Sequence, residues 1–185
     1  LVEVCLKYLK NSESPAVLDL CAGSGCIGIT LALEKADAAV TLVEKFPEAA
    51  RYAERNIKRH GTDNVTLICG DVLNGAANDK EYELIVSNPP YVPKNEMETV
   101  SPEVHYEPET ALFGGEDGLD FYRAIARNYT AALKPGGYLA LEFGMGQGDD
   151  VCRILTEHGY TILERTRDYN DRERAVLAQY GRKED

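Results

Sequence analysis

The 185-residue sequence has no apolar run approaching the roughly 20 residues that a membrane-spanning helix needs. Its first residues, Leu1-Val2-Glu3-Val4-Cys5-Leu6-Lys7, have neither the basic start nor the long apolar stretch of a secretory signal. Positive charge is also short: 20 lysines and arginines face 31 aspartates and glutamates, a formal net charge of -11. Proteins that hold nucleic acid through its phosphates concentrate basic residues. The best clusters here are Arg51-Arg55-Lys58-Arg59 and Arg165-Arg167, and the first reads as a solvated helix face. An acidic chain points to a protein or small-molecule partner and to no direct nucleic-acid or membrane partner. The five cysteines, Cys5, Cys21, Cys26, Cys69 and Cys152, form no C-x-x-C pair. A zinc site therefore lacks its ligand spacing, and the thiols read as reduced groups of a cytoplasmic protein. His60, His105 and His158 show no metal-ligand spacing, and no Ser-His-Asp pattern supplies a covalent nucleophile. Repeats and low-complexity segments are absent too.

What is present is an ordinary globular mixture, 44% apolar and 28% charged, of a length that suits a single domain over residues 1–185. Apolar runs and breakers predict helices over Leu1–Lys10, Ile27–Glu34, Pro47–His60, Leu119–Leu133 and Asp149–His158. They predict strands over Ala16–Leu20, Ala38–Val43, Val65–Cys69, Tyr82–Ser87, Tyr138–Phe143, Tyr160–Glu164 and Arg174–Gln179. Alternating strands and helices imply an α/β fold, a doubly wound, mainly parallel seven-stranded sheet. Only a loop separates the last two strands, so they should form an antiparallel hairpin. Pro89 to Gly118 remains as a long irregular stretch, of the kind that usually carries function.

Asp19-Leu20-Cys21-Ala22-Gly23-Ser24-Gly25-Cys26-Ile27-Gly28 joins the first strand to its helix and matches G-x-G-x-x-G at Gly23, Gly25 and Gly28. The match alone fits both a nicotinamide-binding turn and a methyltransferase turn. Asp19, four residues before Gly23, is poorly placed for a pyrophosphate and suits the positive end of S-adenosylmethionine, directly or through water. Glu44, at the end of the second strand, suits ribose hydroxyls in either cofactor. Asp71, after the third strand, has a carboxylate suited to the exocyclic amine of adenine, or simply to a turn.

Asn88-Pro89-Pro90-Tyr91 follows the fourth strand directly. Two prolines stiffen this corner and remove two N–H donors. The Asn88 side-chain oxygen and the Pro89 carbonyl can each accept one hydrogen of a planar NH2 group. That would fix its nitrogen in line with a sulfonium methyl and favour the charge that builds on it. Tyr91 can stack on a flat substrate. Glu107 and Glu109, in the long loop, either shape the substrate pocket or are solvated acids.

With the glycine turn and this tetrapeptide, the chain from Val17 to Leu177 resembles the release factor glutamine methyltransferases. The resemblance extends through Pro102-Glu103-Val104, Tyr106-Glu107-Pro108, the Ala111–Leu119 run, Leu133-Lys134-Pro135-Gly136-Gly137 and Gly146-Gln147-Gly148. It implies a Rossmann-like class I methyltransferase fold. It also implies S-adenosylmethionine as methyl donor, and as substrate the glutamine amide in the Gly-Gly-Gln motif of peptide-chain release factors. Cys21, Ala22, Gly23, Ser24, Gly25, Glu44 and Asn88 would contact the cofactor, with Asp19 and Asp71 beside them. Val72 follows Asp71 where the family often has an aromatic residue. Asn88, Pro89, Pro90 and Tyr91 would contact substrate, with Asn88, Pro89 and Tyr91 carrying catalysis. Full-length members carry a helical N-terminal domain, so residues 1–14 are expected to be a connecting helix from such a domain. Three other functions compete. An adenine or guanine amino-methyltransferase shares the tetrapeptide, a nicotinamide oxidoreductase has no use for Asn88, and a non-catalytic scaffold tolerates its loss.

Overall fold

The computed structural model describes residues 1–76, 80–98 and 108–181. Its centre is one seven-stranded sheet with strand order β3-β2-β1-β4-β5-β7-β6. The first four strands are β1 (Ala16–Leu20), β2 (Ala39–Glu44), β3 (Val65–Cys69) and β4 (Tyr82–Ser87), and β5 spans Leu133–Glu142. All of these pair in parallel. β6 (Tyr160–Arg167) and β7 (Glu173–Tyr180) form the expected antiparallel hairpin, and β7 inserts antiparallel against β5. β6 therefore points the same way as the five parallel strands.

Whereas the edge strands β3 and β6 are partly exposed, the central strands β1, β2 and β4 are almost wholly buried, which is why they read as continuous apolar runs rather than alternating ones. Their residues divide by the pleat. Leu18, Leu20, Ile85 and Leu139 face one core cluster, and Val17, Leu42, Leu84 and Val86 face the other. The first face is covered by α5 (Asp120–Tyr129) and α6 (Gly148–Glu157), which contribute Tyr122, Ile125, Val151 and Leu155. The second is covered by α1 (Val2–Leu9), α2 (Cys26–Glu34) and α3 (Pro47–His60). Val4, Cys5 and Leu9 of α1 are buried in that second cluster, so α1 packs as part of this core. Lys7 also pairs with Glu164 at 2.6 Å.

The largest departures from the expected boundaries are at β5, while β6 runs on to Arg167. The helix predicted to run to Leu133 ends at Tyr129, a tight turn covers Thr130–Ala132, and β5 begins at Leu133. Leu133 pairs with Tyr82 and Tyr138 with Leu84, so two steps along β4 match five along β5. Lys134-Pro135-Gly136-Gly137 is thus a bulge inside the strand, where a proline without an N–H is tolerated. In the irregular stretch, the described parts contain the short helix α4 (Glu109–Leu112) and a bridge between Val92 and Phe113.

Candidate active site

The C-terminal ends of β1, β2, β3 and β4 open into a cleft of ≈ 620 Å³, within the usual size of a cofactor pocket. The glycine turn forms its floor. Gly25 adopts φ 79, a left-handed conformation at the entry to α2, and Gly25 N–H donates to Ala22 O at 2.8 Å. A Cβ on Gly28 would lie 2.3 Å from Leu42 Cδ2, so a side chain there would drive α2 off β2. Gly28 N–H donates to Asp19 Oδ2 at 2.8 Å.

Asp19, expected to serve the positive end of S-adenosylmethionine directly or through water, is completely buried beneath the turn and is not among the residues that line the cleft. Its second oxygen, Oδ1, has no hydrogen-bond partner among the described residues. Burial pushes its pKa up to about 7, against the lowering effect of the Gly28 bond and with a further push from Glu44. In this structure, then, Asp19 clamps the turn.

Glu44, nearly buried, lies in the cleft wall. Its Oε2 accepts the Gly23 N–H and its Oε1 the Phe46 N–H, each at 2.8 Å. A carboxylate has about four acceptor sites, so both oxygens keep capacity for a pair of hydroxyls. Asp71 and Val72 line the cleft. The Asp71 carboxylate accepts from Leu73 N–H at 3.0 Å and pairs with Lys45 at 2.9 Å, so it is already committed to its own turn and to β2. Cys21, Ala22, Gly23 and Ser24 line the cleft too, whereas Gly25 sits one step behind them. Burial raises the Cys21 thiol far above its ordinary range, which makes it a neutral wall and not a nucleophile.

The tetrapeptide lies at the end of β4. Ser87 anchors its start, donating from Oγ to Leu20 O at 2.7 Å across β1. Asn88 is exposed and lines the cleft with Pro90. Among the described residues, neither the Asn88 side chain nor the Pro89 carbonyl takes part in a hydrogen bond. Tyr91, expected to stack on substrate, has a half-buried ring packed on the core beside Gly144 and is not among the residues that line the cleft. Glu107 lies outside the described residues.

Sequence reasoning missed the apolar lining: Phe46, Phe113 and Phe121 join Val72 and Leu73 around the cleft. Phe113 stood within a run already singled out. Phe121 looked like an ordinary helix residue, and only the placement of α5 brings it here. Arg55, Lys58 and Arg59 line a depression on α3 together with Tyr52 and Asn56. Arg165 is bound by Asp149 and Glu173, Arg167 by Asp171, and Arg51 stands 3.7 Å from Glu48 on the exposed side of α3. Among the described residues, no cluster of metal-ligating side chains occurs and no helix is long and apolar enough to cross a membrane.

Residues 2–106 match the family model described as Methyltransferase small domain. The chain belongs to that family. Within it, this methyltransferase-type domain is 39% identical over 180 residues to the release factor glutamine methyltransferase of Fusobacterium nucleatum, covering 97% of this chain and 51% of that protein. It is 41% identical over 182 residues to the release factor glutamine methyltransferase of Geobacter sulfurreducens, covering 98% of this chain and 63% of that one. The chain thus spans between half and two thirds of the length of these curated relatives. A methyltransferase crystal structure from Pyrococcus furiosus shares the fold, with a TM-score of 0.70 at 20% identity over 97% of this chain and 83% of the other.

Proposed function

We propose that this domain transfers a methyl group from S-adenosylmethionine to the side-chain amide nitrogen of a glutamine in a protein, the Gly-Gly-Gln glutamine of a peptide-chain release factor. The observation that carries this is the Asn88 corner: an exposed, unengaged amide and a carbonyl fixed by two consecutive prolines at the mouth of a cofactor-sized cleft. The resemblance to release factor glutamine methyltransferases narrows the planar nitrogen to a glutamine amide. A translation factor as substrate places the work in the cytoplasm.

The cleft suits the cofactor chemically. Glu44 offers an acceptor pair to a ribose, the turn from Cys21 to Ser24 offers backbone without bulk, and Val72, Leu73 and Phe46 offer apolar walls to a base. When bound, S-adenosylmethionine supplies an electrophilic methyl on a sulfonium. The protein's own part is positional. An amide nitrogen is a weak nucleophile because its lone pair is delocalised into the carbonyl. Accepting both of its hydrogens, at Asn88 and at the Pro89 carbonyl, holds the nitrogen in one orientation and stabilises the positive charge that grows on it. Once methylated, the nitrogen loses its proton readily, so no strong base is needed.

The test is incubation with labelled S-adenosylmethionine and a release factor, followed by peptide mass spectrometry. The expected result is one methyl on the Gly-Gly-Gln glutamine. Asn88→Ala should keep the fold and lower transfer by about 10²-fold or more. Unimpaired turnover in that variant would refute the mechanism, and methyl transfer to RNA or DNA in its place would refute the substrate.

A further inference from the structure

The corner that presents Asn88 has an unusual structural problem. Pro89 and Pro90 have no N–H, so neither can be held by a donated backbone bond. Its geometry depends on what grips the chain on either side. Upstream, the grip is the Ser87 hydroxyl on Leu20 O. Downstream, it centres on Gln147, the residue that enters α6.

Three segments converge on the Gln147 side chain. Its Nε2 donates to Tyr91 O at 2.9 Å and, more weakly, to Gly118 O at 3.4 Å. Its Oε1 accepts the Gly144 N–H at 2.9 Å. One amide therefore ties the last residue of the tetrapeptide to the loop before α5 and to the turn after β5. Two glycines leave room for it. A Cβ on Gly144 would lie 2.8 Å from Gln147 Oε1 and 2.9 Å from the Tyr91 ring, and one on Gly118 would lie 2.6 Å from Gln147 Nε2 and 2.4 Å from Tyr91 O. The loop is bound to the same strand end by Val92 N–H to Leu112 O at 2.8 Å and Gly114 N–H to Val92 O at 2.9 Å. The base of the clamp is firm, because Gln147 O already accepts from Val151 N–H in the first turn of α6.

We infer that Gln147 is the positioning residue of this site, holding the Asn88-Pro89 corner in its acceptor geometry through the Tyr91 carbonyl. The inference rests on the proposed methyl transfer for its consequence, though not for the clamp itself. Gln147 touches neither cleft nor substrate; it acts through Tyr91. Both polar ends of its amide are used, so an isosteric carboxylate is a selective probe. Gln147→Glu keeps the acceptor for Gly144 N–H and replaces the donor to Tyr91 O with a repelling oxygen. Protonating that carboxyl restores a donor.

The experiment compares wild type with Gln147→Glu, and with Gln147→Met in case the glutamate variant fails to fold. Hydrogen exchange is followed by peptide, and methyl transfer to a release factor is measured across pH. Exchange should rise around Val92 and Gly114 in both variants and stay unchanged in the glycine turn. The kcat should fall by about 10- to 10²-fold, as expected when a reacting geometry is loosened, while S-adenosylhomocysteine affinity holds. The kcat ratio of Gln147→Glu to wild type should climb as pH is lowered, whereas that of Gln147→Met should not. A site whose exchange is unmoved in the variants overturns the clamp. Loosened exchange with undiminished kcat, or with no recovery at low pH, overturns the positioning role. A wild type that transfers no methyl overturns the functional proposal instead, and the exchange data then decide the clamp alone.

Discussion

Cys21 carries the turn in an unfavourable conformation. Its φ is 56 without being glycine, and such a left-handed residue costs about 1–2 kcal/mol. The neighbours that hold it there are the Ala22 N–H bonded to Val43 O at 3.0 Å and the Ser87 hydroxyl beside the thiol. Strain of this kind tends to sit where a backbone must be presented to a ligand, and here it bends the strand end into the cleft floor. Asp19, two residues earlier, makes a second demand on stability. Its folded pKa, about 7, lies above the ordinary 3.8 because burial disfavours the charge. Below the ordinary value the group is protonated in both states and costs nothing. As pH rises toward 7, the unfolded chain releases the proton and the folded chain keeps it, so stability falls. Above 7 the buried charge is borne in full. Asp19→Asn should therefore match wild type near pH 4 and exceed it by a growing margin up to pH 7, at about 1.4 kcal/mol per unit of separation. Denaturant midpoints of the two proteins at several pH values measure this; parallel curves would refute it.

Among the elements, α1 deserves the clearest test because its sequence suggested a connection and its packing is that of a core helix. Leu9 is fully buried and Cys5 beside it has no exposed surface. Burial also pushes the Cys5 thiol up to about 12, as expected of an inert packed cysteine. Leu9→Ala should cost about 2–5 kcal/mol, read as a lower denaturant midpoint with an unchanged slope. A loss below 1 kcal/mol would show that α1 is dispensable to the domain. The β6–β7 hairpin carries ion pairs along its exposed side: Arg165 with Glu173 and Asp149, and Arg174 with Asp168 at 3.4 Å. Exposed pairs of this kind each contribute about 0–1 kcal/mol, so the hairpin's stability rests mainly on Val176, Ala178 and Tyr160 in the core.

For the whole molecule, the proposed function rests first on which cofactor fills the cleft. A ligand that binds only the folded state at 100 times its Kd adds about 2.7 kcal/mol. For a domain of this size, each kcal/mol raises Tm by about 2–4 °C. Saturating S-adenosylhomocysteine should raise Tm by several degrees and NADH by none. A shift with NADH alone would transfer the glycine turn to nicotinamide chemistry.

Residue order alone determined most of this architecture. Apolar runs marked the strands, most clearly β1, β2 and β4, because strands buried on both faces need continuous apolar residues whatever their neighbours. Asn88-Pro89-Pro90-Tyr91 after β4 marked the proposed reacting corner, because proline stiffness is a local covalent property. What tertiary structure decided were quantities that depend on partners distant in sequence. Asp19 turned inward because Gly28 of the next helix offers it an N–H. Tyr91 turned toward the core because Gly144, 53 positions on, leaves room for its ring. The Lys134–Gly137 segment is a bulge because Leu133 pairs with Tyr82 and Tyr138 with Leu84 on the neighbouring strand. Gln147 stood in the sequence as one residue of a glycine-flanked motif. Its part in the site exists only once β5 and β4 lie side by side, bringing its amide within hydrogen-bond reach of the Tyr91 carbonyl.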